Sequence, residues 1–306
     1  MEQLMQTKIK TTLLIFAILF TFGCGTKSDK PQGGSVQTDK KVQQEQLNIS
    51  ILLDLSDRID TKKYPEKPEH FERDIANIKY ITELFVKDME KRGTFMAKGK
   101  IKVVFSPKPE DPNVNIFAEK LNVDLSTMDN KQKKEVHDNI TSTFTTNLTN
   151  IYKSTISEQK WIGSDIWRFF KNDVKDYCVE NKPNYRNILI ILTDGYIYHL
   201  DSKDQIKNRF AYLLPENISK YKLRDNPNWE QDLAKQDFGL ISKRNDLDCL
   251  EILVLEISPS PTHKNDEDII KSVLNKWFKE MKIKRVAIFN SDLPEYTKTR
   301  INDFIK

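Results

Sequence analysis

The chain has few cysteines and no strong excess of charge of either sign. Its 306 residues contain three cysteines, Cys24, Cys178 and Cys249. Lysine and arginine together number 49 against 45 aspartate and glutamate residues, which gives a formal net charge of +4. The two signs are interspersed, and no basic stripe carries interleaved aromatic residues. This composition argues against nucleic-acid binding.

Apolar runs long enough to cross a membrane are also lacking. The apolar stretch at residues 11–22 follows Lys8 and Lys10 and is too short for a transmembrane helix. It ends at Gly23-Cys24, which resembles a bacterial lipoprotein signal. That resemblance implies a signal peptide over residues 1–23 and a lipid on Cys24. The protein would then be anchored to an inner or outer membrane of the cell envelope, outside the cytoplasm. An ordinary secretory signal or an uncleaved anchor is the alternative.

The segment that follows is nearly devoid of apolar side chains. Valine is the only sizeable apolar residue type between Gly25 and Gln46. Such a segment cannot bury enough surface to offset chain entropy, so we expect a disordered tether over residues 24–46. Residues 47–306 are long enough for one large domain. In an exported protein Cys178 and Cys249 could form a disulfide, or they could remain as two buried thiols.

Apolar periodicity predicts strands alternating with helices. The continuous apolar run at Ile188–Leu192, and the similar run at Ile49–Leu53 that only Ser50 interrupts, are typical of strands buried on both faces. Further strands are predicted at 101–105, 250–257 and 286–289, and helices at 71–91, 131–152, from 164 or 165, 266–281 and 294–305. This alternation predicts an α/β fold with a doubly wound, mostly parallel sheet and helices on both faces. Two insertions are expected, an irregular one at about 106–130 and a polar one, helical in places, at about 199–248.

Polar side chains follow these strands at one edge of the predicted sheet. Asp54 and Ser56 follow the first strand, Ser164 opens a helix, and Asp194 ends the Ile188 strand. Ligands of open parallel sheets bind at the carboxyl ends of the strands. Because these side chains offer oxygen atoms and no histidine or thiol, they suit Mg²⁺ or Mn²⁺ better than zinc. The sequence therefore predicts a metal site with a position left open for a partner's carboxylate.

Three motifs occur in order along the chain: D-x-S at Asp54, G-S-D at Gly163 and T-D-G at Thr193. Together they resemble the motifs of the von Willebrand factor type A (VWA) domain. The resemblance covers roughly residues 47–290 and implies a Rossmann-like fold with a metal-ion-dependent adhesion site. It implies that Asp54 and Ser56 supply the first metal-binding loop. Ser164 would replace the usual threonine of the second loop, and Asp194 would end the third.

The first loop departs from the family pattern D-x-S-x-S, because Arg58 replaces the second serine. Turned inward, Arg58 could occupy the place of the cation and bridge Asp54 and Asp194. Turned outward, it would leave the four ligands to bind metal with water. Asp57 could pair with Arg58 or add a carboxylate, and Asp165 adjoins Ser164. A degenerate site, in which Asp54 and Asp194 only cap loops, is a further alternative.

Three functions are compatible with these residues. The first is a lipid-anchored, non-enzymatic protein that binds the acidic side chain of a protein partner through Mg²⁺, with no small-molecule substrate. The second is a metal-free scaffold of the same fold, with Arg58 in the cation site. The third is an aspartate-dependent phosphohydrolase, disfavoured because Ser56 stands where such enzymes carry a second aspartate. His199 lies near the predicted edge and could be a ligand or a partner contact, or have neither role. Trp229 lies in the polar insertion and could be a partner contact or a packing residue.

Overall fold

The computed structural model describes residues 45–161 and 163–306. The predicted signal peptide, Cys24 with its predicted lipid, and the predicted tether up to residue 44 lie outside the described residues. The first strand begins at Gln46, the last residue that the sequence assigned to the tether.

The core of the described chain is a six-stranded mixed sheet. Its strands are β1 (Gln46–Leu53), β2 (Lys100–Phe105), β3 (Asn122–Asp124), β5 (Tyr185–Leu192), β10 (Leu250–Ile257) and β11 (Arg285–Asn290). The order across the sheet is β11-β10-β5-β1-β2-β3. Neighbouring strands are parallel except for β2 and β3, which pair antiparallel. An α/β fold with a mostly parallel sheet is thereby confirmed.

Short strands and helices complete the domain. The short strands are β4 (Gly163–Ser164), β6 (Tyr198–His199), β7 (Gln205–Ile206), β8 (Arg209–Phe210) and β9 (Gly239–Leu240). The helices are α1 (His70–Arg92), α2 (Pro112–Glu119), α3 (Asn130–Glu158), α4 (Ile166–Arg168), α5 (Val174–Cys178), α6 (Pro215–Lys220), α7 (Trp229–Lys235), α8 (Asp266–Glu280) and α9 (Pro294–Ile305). A π-helical segment, Phe169–Asp173, joins α4 to α5.

Alternate side chains of the central strands enter two separate cores. Leu189 and Ile191 of β5 belong to a core that includes α8, whereas Ile188 and Ile190 belong to a core that includes α1, α3 and α9. Successive strand residues point to opposite faces, so this division places helices on both faces of the sheet. Burial on both faces explains the apolar runs Ile51–Leu53 in β1, Ile188–Leu192 in β5 and Ile252–Leu255 in β10.

The two insertions contain more regular structure than the sequence predicts. The first was expected to be irregular but includes α2 and β3. The helix α2 begins at Pro112, and Asp111 caps its N-terminus. The second carries β6 to β9, α6 and α7, and its Phe210 and Phe238 are fully buried against the α8 core. Trp229 also packs there, partly buried, which fits a packing role.

Cys178 and Cys249 are both free, the first buried and the second exposed, so the disulfide interpretation is not supported. None of the helices in residues 45–161 and 163–306 combines the length and the hydropathy needed to span a membrane.

Candidate metal site

The candidate site lies where the chain reverses its direction of progress across the sheet. From β1 the chain moves outward through β2 to β3, and it then crosses to β5 on the other side of β1. Leu53 at the end of β1 pairs with Leu192 of β5 and with Phe105 of β2. The crevice at the carboxyl ends of strands on either side of such a reversal is the usual ligand site of open α/β sheets. Asp54 and Thr193 enter this crevice directly after their strands.

Asp54 is buried and fixed by two hydrogen bonds. One carboxylate oxygen accepts from the Ser56 backbone N–H at 2.9 Å. The other accepts from the Thr193 hydroxyl at 2.7 Å. A carboxylate has about four lone-pair positions, so each oxygen retains capacity for a cation. Thr193 thus links the first and third loops, a role that the sequence analysis did not assign to it.

Asp194 is also buried, with 8% of its surface exposed. Its carboxylate accepts from the Tyr196 backbone N–H at 2.9 Å. Burial raises the pKa of Asp194 from 3.8 to about 7, and the nearby Asp54 carboxylate adds to the rise. Two carboxylates that share a buried site disfavour each other's ionisation. The Asp54 backbone N–H donates to the Leu192 carbonyl at 3.1 Å, and the Thr193 hydroxyl donates to the Asp54 carboxylate, so the sequence-predicted residues Asp54 and Asp194 lie on adjoining loops.

The two serines lie at the same edge of the sheet. Ser56 is half-buried beside Asp54, and Ser164 is buried in β4. The Asp165 backbone N–H donates to the Ser106 carbonyl at 2.9 Å. Since Ser106 directly follows β2, this bond places Ser164 and Asp165 beside the β1 end. Among the described residues, neither serine hydroxyl is engaged in a hydrogen bond.

Asp165 has a structural role. One of its oxygens accepts from the Arg168 backbone N–H at 3.1 Å and so caps α4. The other accepts from the Ser202 hydroxyl at 2.8 Å, with His199 Nδ1 at 3.4 Å. Asp165 and His199 therefore join the second loop to the polar insertion.

Arg58 adopts neither of the two arrangements that the sequence suggests. It is turned inward and is 1% exposed, but its guanidinium donates to both oxygens of Asp74, at 2.9 to 3.1 Å, rather than bridging Asp54 and Asp194. The Tyr152 hydroxyl donates to the same carboxylate at 2.7 Å. Asp57, a suggested partner of Arg58, forms an ion pair with Lys63 instead. Arg58 thus forms no hydrogen bond to Asp54 or Asp194 and does not bridge them as a cation would.

Arg58 nevertheless lies close enough to act on the site through its charge. Burial opposes its charged form, but the carboxylates of Asp74, Asp54 and Asp194 outweigh burial and raise the pKa of Arg58. The same positive charge partly offsets the rise in the pKa of Asp194. Arg58 therefore places a buried positive charge near the two carboxylates.

A second buried ion pair adjoins the first. Arg73 donates to Glu256 at 2.8 Å, and Asn77 and Ser291 donate to the same carboxylate at 3.0 Å. Glu256 is fully buried and has a left-handed φ of 72° at an irregularity in the β10–β11 pairing. We call this group of six ionisable residues the buried charge layer: Asp54, Arg58, Arg73, Asp74, Asp194 and Glu256.

Sequence analysis missed Asp74, although its position carries a signal. Asp74 shares one face of α1 with the buried residues Ile78, Ile81 and Phe85. A carboxylate on the apolar face of a helix requires a buried partner.

Replacing Asp194 with Asn is expected to change the pH dependence of stability in cation-free solution. The folded-state pKa of about 7 exceeds the ordinary value of 3.8, so the folded protein retains a proton that the unfolded chain releases. This stabilisation is fully present below about pH 4 and is lost as the pH rises through about 7. Denaturant unfolding in EDTA should show wild type losing more stability over that range than Asp194→Asn, whereas Asp201→Asn, a change at an exposed residue, should follow wild type. Parallel profiles for wild type and Asp194→Asn would contradict the coupling.

The described residues contain no group of three or more histidine, cysteine, aspartate or glutamate side chains arranged to hold a metal. The candidate site differs from such a group because it combines two carboxylates with two hydroxyls. Comparison with protein-family models, with curated proteins and with solved structures finds no match for this chain.

Proposed function

We propose that this protein is a lipid-anchored, non-enzymatic cell-envelope protein of VWA type that binds a protein partner through a divalent cation. The cation, Mg²⁺ or Mn²⁺, would be held by Asp54, Ser56, Ser164 and Asp194. The partner would contribute an acidic side chain to the open coordination position.

One observation carries the proposal. Two buried carboxylates lie together at the reversal point of the sheet, and neither is hydrogen-bonded by a basic side chain of the described chain. Buried carboxylates are normally paired with a cation or protonated. Without a cation, the raised pKa of Asp194 favours protonation of its carboxyl group. A bound divalent cation would instead allow both carboxylates to remain ionised.

Charge balance in the buried charge layer favours a divalent ion. Its four carboxylates carry −4 when ionised and its two arginines carry +2, which leaves −2. One Mg²⁺ ion would restore neutrality. Mg²⁺ also retains several water ligands, so two carboxylates and two hydroxyls are enough to position it.

The strand order supports the VWA assignment. Numbered within the central sheet alone, the strands run 3-2-1-4-5-6, an order typical of doubly wound folds. The three motifs follow β1, precede α4 and follow β5. Lipid anchoring and the envelope location rest on Gly23-Cys24 and the apolar segment before it.

Mg²⁺ is expected to raise the melting temperature of the purified protein. A ligand at about 100 times its dissociation constant adds about 2.7 kcal/mol of stability. For a domain of this size that corresponds to a rise of roughly 5–10 °C. EDTA should reverse the rise, and Asp194→Ala should abolish it.

Asp201→Asn is the matched control, because Asp201 is an exposed carboxylate in the neighbouring insertion. It should respond to Mg²⁺ as wild type does. A wild-type melting temperature that neither Mg²⁺ nor Mn²⁺ changes would refute the cation site.

The burial of Arg58 favours a second candidate, the metal-free scaffold. Its positive charge lies near Asp54 and Asp194 and reduces their attraction for a cation. This candidate predicts no Mg²⁺ response in wild type but a response in the double variant Arg58→Met/Asp74→Leu. The double change removes the positive charge together with its partner, because removal of Arg58 alone would leave Asp74 buried and unpaired.

A further inference from the structure

An exposed apolar pair lies at the opposite end of the molecule from the candidate metal site. Phe95 is 76% exposed and Met96 is 46% exposed, in the turn between α1 and β2. This turn directly precedes Lys100, which begins β2 and pairs with Asn48 near the start of β1. Since β1 is parallel to β2 and Asp54 follows its other end, eight strand residues separate the two sites, or about 26 Å.

The pair is held in place by hydrogen bonds of the turn. The backbone N–H groups of Met96 and Ala97 donate to the Gly93 carbonyl at 3.2 and 3.1 Å. Gln46 donates to the Met96 carbonyl at 3.0 Å and accepts from the Lys98 backbone N–H at 2.9 Å. The Lys133 ammonium donates to the Phe95 carbonyl at 3.4 Å. The turn therefore presents two neighbouring apolar side chains to solvent from a backbone that is fixed by hydrogen bonds.

The segment that carries the pair is basic, and the acidic residue Glu90 precedes it. Residues 91–100 contain Lys91, Arg92, Lys98 and Lys100 and no acidic residue. Arg92 pairs with Asp88, and Lys100 pairs with Asp124 and Glu180. Within the described chain, Lys91 and Lys98 form no ion pair. An apolar tip flanked by free ammonium groups is complementary to a bilayer surface that contains anionic lipid.

The path of the chain indicates the same partner. Gln46, which braces the turn, is also the first residue of β1, so the N-terminal end of this strand lies beside Met96. A lipid on Cys24 would attach the protein to the membrane through this edge of the sheet.

We propose that the turn of residues 93–98, which we call the Phe95 turn, inserts Phe95 and Met96 into the surface of an anionic bilayer. Lys91 and Lys98 contact the lipid headgroups. This contact orients the domain so that Asp54 and Asp194 face away from the membrane, toward a partner. The proposal rests on the lipid anchoring proposed above and is independent of the cation site.

Fluorescence quenching by brominated phospholipid tests the contact. The full lipid-bearing chain with Phe95→Trp is reconstituted in vesicles of phosphatidylcholine and phosphatidylglycerol, with the wild-type tryptophan signal subtracted. The emission of the introduced tryptophan is expected to shift to the blue and to fall by about half when the lipid is brominated. Leu200→Trp is the matched control: Leu200 is 65% exposed but follows β6 on the metal-site side, so the emission of a tryptophan there should not change.

Vesicle flotation separates failure of the contact from failure of the anchor. If the Phe95→Trp protein floats while its introduced tryptophan remains unquenched, the membrane contact is refuted and the anchor stands. If the Phe95→Trp protein does not float with the vesicles, the lipid anchor is refuted. If its introduced tryptophan is also unquenched in that sample, the membrane contact of the turn is refuted as well. A blue shift without quenching would assign the turn to a protein contact, such as a second copy, and would also overturn the proposal. Pure phosphatidylcholine or high salt should weaken the quenching, since the lysines act through charge.

Discussion

Asp74→Asn is expected to lower the free energy of unfolding by about 3–5 kcal/mol, because it leaves Arg58 charged and buried without its partner. Both side chains of this pair are essentially inaccessible, at 1% and 0% exposed. The introduced asparagine can accept a hydrogen bond from the guanidinium but cannot neutralise its charge. Asp54 and Asp194 are the remaining carboxylates near Arg58. Urea or guanidinium unfolding followed by circular dichroism measures the loss.

The exposed pair between Lys63 and Asp57 provides the comparison, because its side chains are 50% and 45% exposed. Asp57→Asn should cost less than about 1 kcal/mol, since solvent already screens that pair. The double variant Arg58→Met/Asp74→Leu should recover most of the stability lost in Asp74→Asn, because apolar residues of similar volume need no partner. A loss below about 1 kcal/mol in Asp74→Asn would show that Arg58 is not held as described.

Gly195→Ala is the second substitution with a large expected effect, about 2–6 kcal/mol. Gly195 follows Asp194 and has a φ of +98°, which strains any residue with a β-carbon. An added Cβ would lie 2.6 Å from Cγ2 of Ile270 on α8 and 2.9 Å from Cδ1 of Ile257. The strain costs about 1–3 kcal/mol and the overpacking about as much again.

Gly93→Ala separates the two contributions. Gly93 also has a positive φ, +76°, but an added Cβ would meet no atom within 4 Å. Its loss of stability should therefore be smaller than that of Gly195→Ala by the packing contribution, about 1–3 kcal/mol. Equal losses would mean that the third loop is not packed against α8. Because the loop carries Asp194, Gly195→Ala should also weaken any response to Mg²⁺.

The sequence predicted those helices and strands whose apolar pattern lies within the element itself. β10 and α9 have the predicted bounds, and β5 and α1 differ by a few residues, because apolar runs and apolar periodicity reflect burial on each element. The grouping of Asp54 with Asp194 could also be predicted, since both follow buried parallel strands. The helix α2 could have been predicted from Asp111 and Pro112, a capping residue followed by proline, which are common at helix starts.

The partner of Arg58 could not be predicted from the spacing of the motif. The sequence suggested Asp54 and Asp194 as acceptors because they are the two carboxylates predicted to bind the cation. Asp74 lies on α1, and only the packing of that helix against the end of β1 brings it to Arg58. Likewise β3 has three residues without a distinctive pattern, and its antiparallel pairing with β2 depends on the chain turning back after α2.

The central claim is that Asp54 and Asp194 hold a divalent cation, and an electron paramagnetic resonance titration with Mn²⁺ tests it most directly. Free Mn²⁺ gives a sharp signal that is lost on binding, so the titration counts bound ions without reference to stability. Wild type is expected to remove one Mn²⁺ per chain from solution, with Mg²⁺ displacing it, and Asp54→Asn and Asp194→Asn are expected to remove none. A wild-type chain that leaves the free Mn²⁺ signal unchanged would contradict the claim, and Mn²⁺ binding only by Arg58→Met/Asp74→Leu would establish the metal-free scaffold instead.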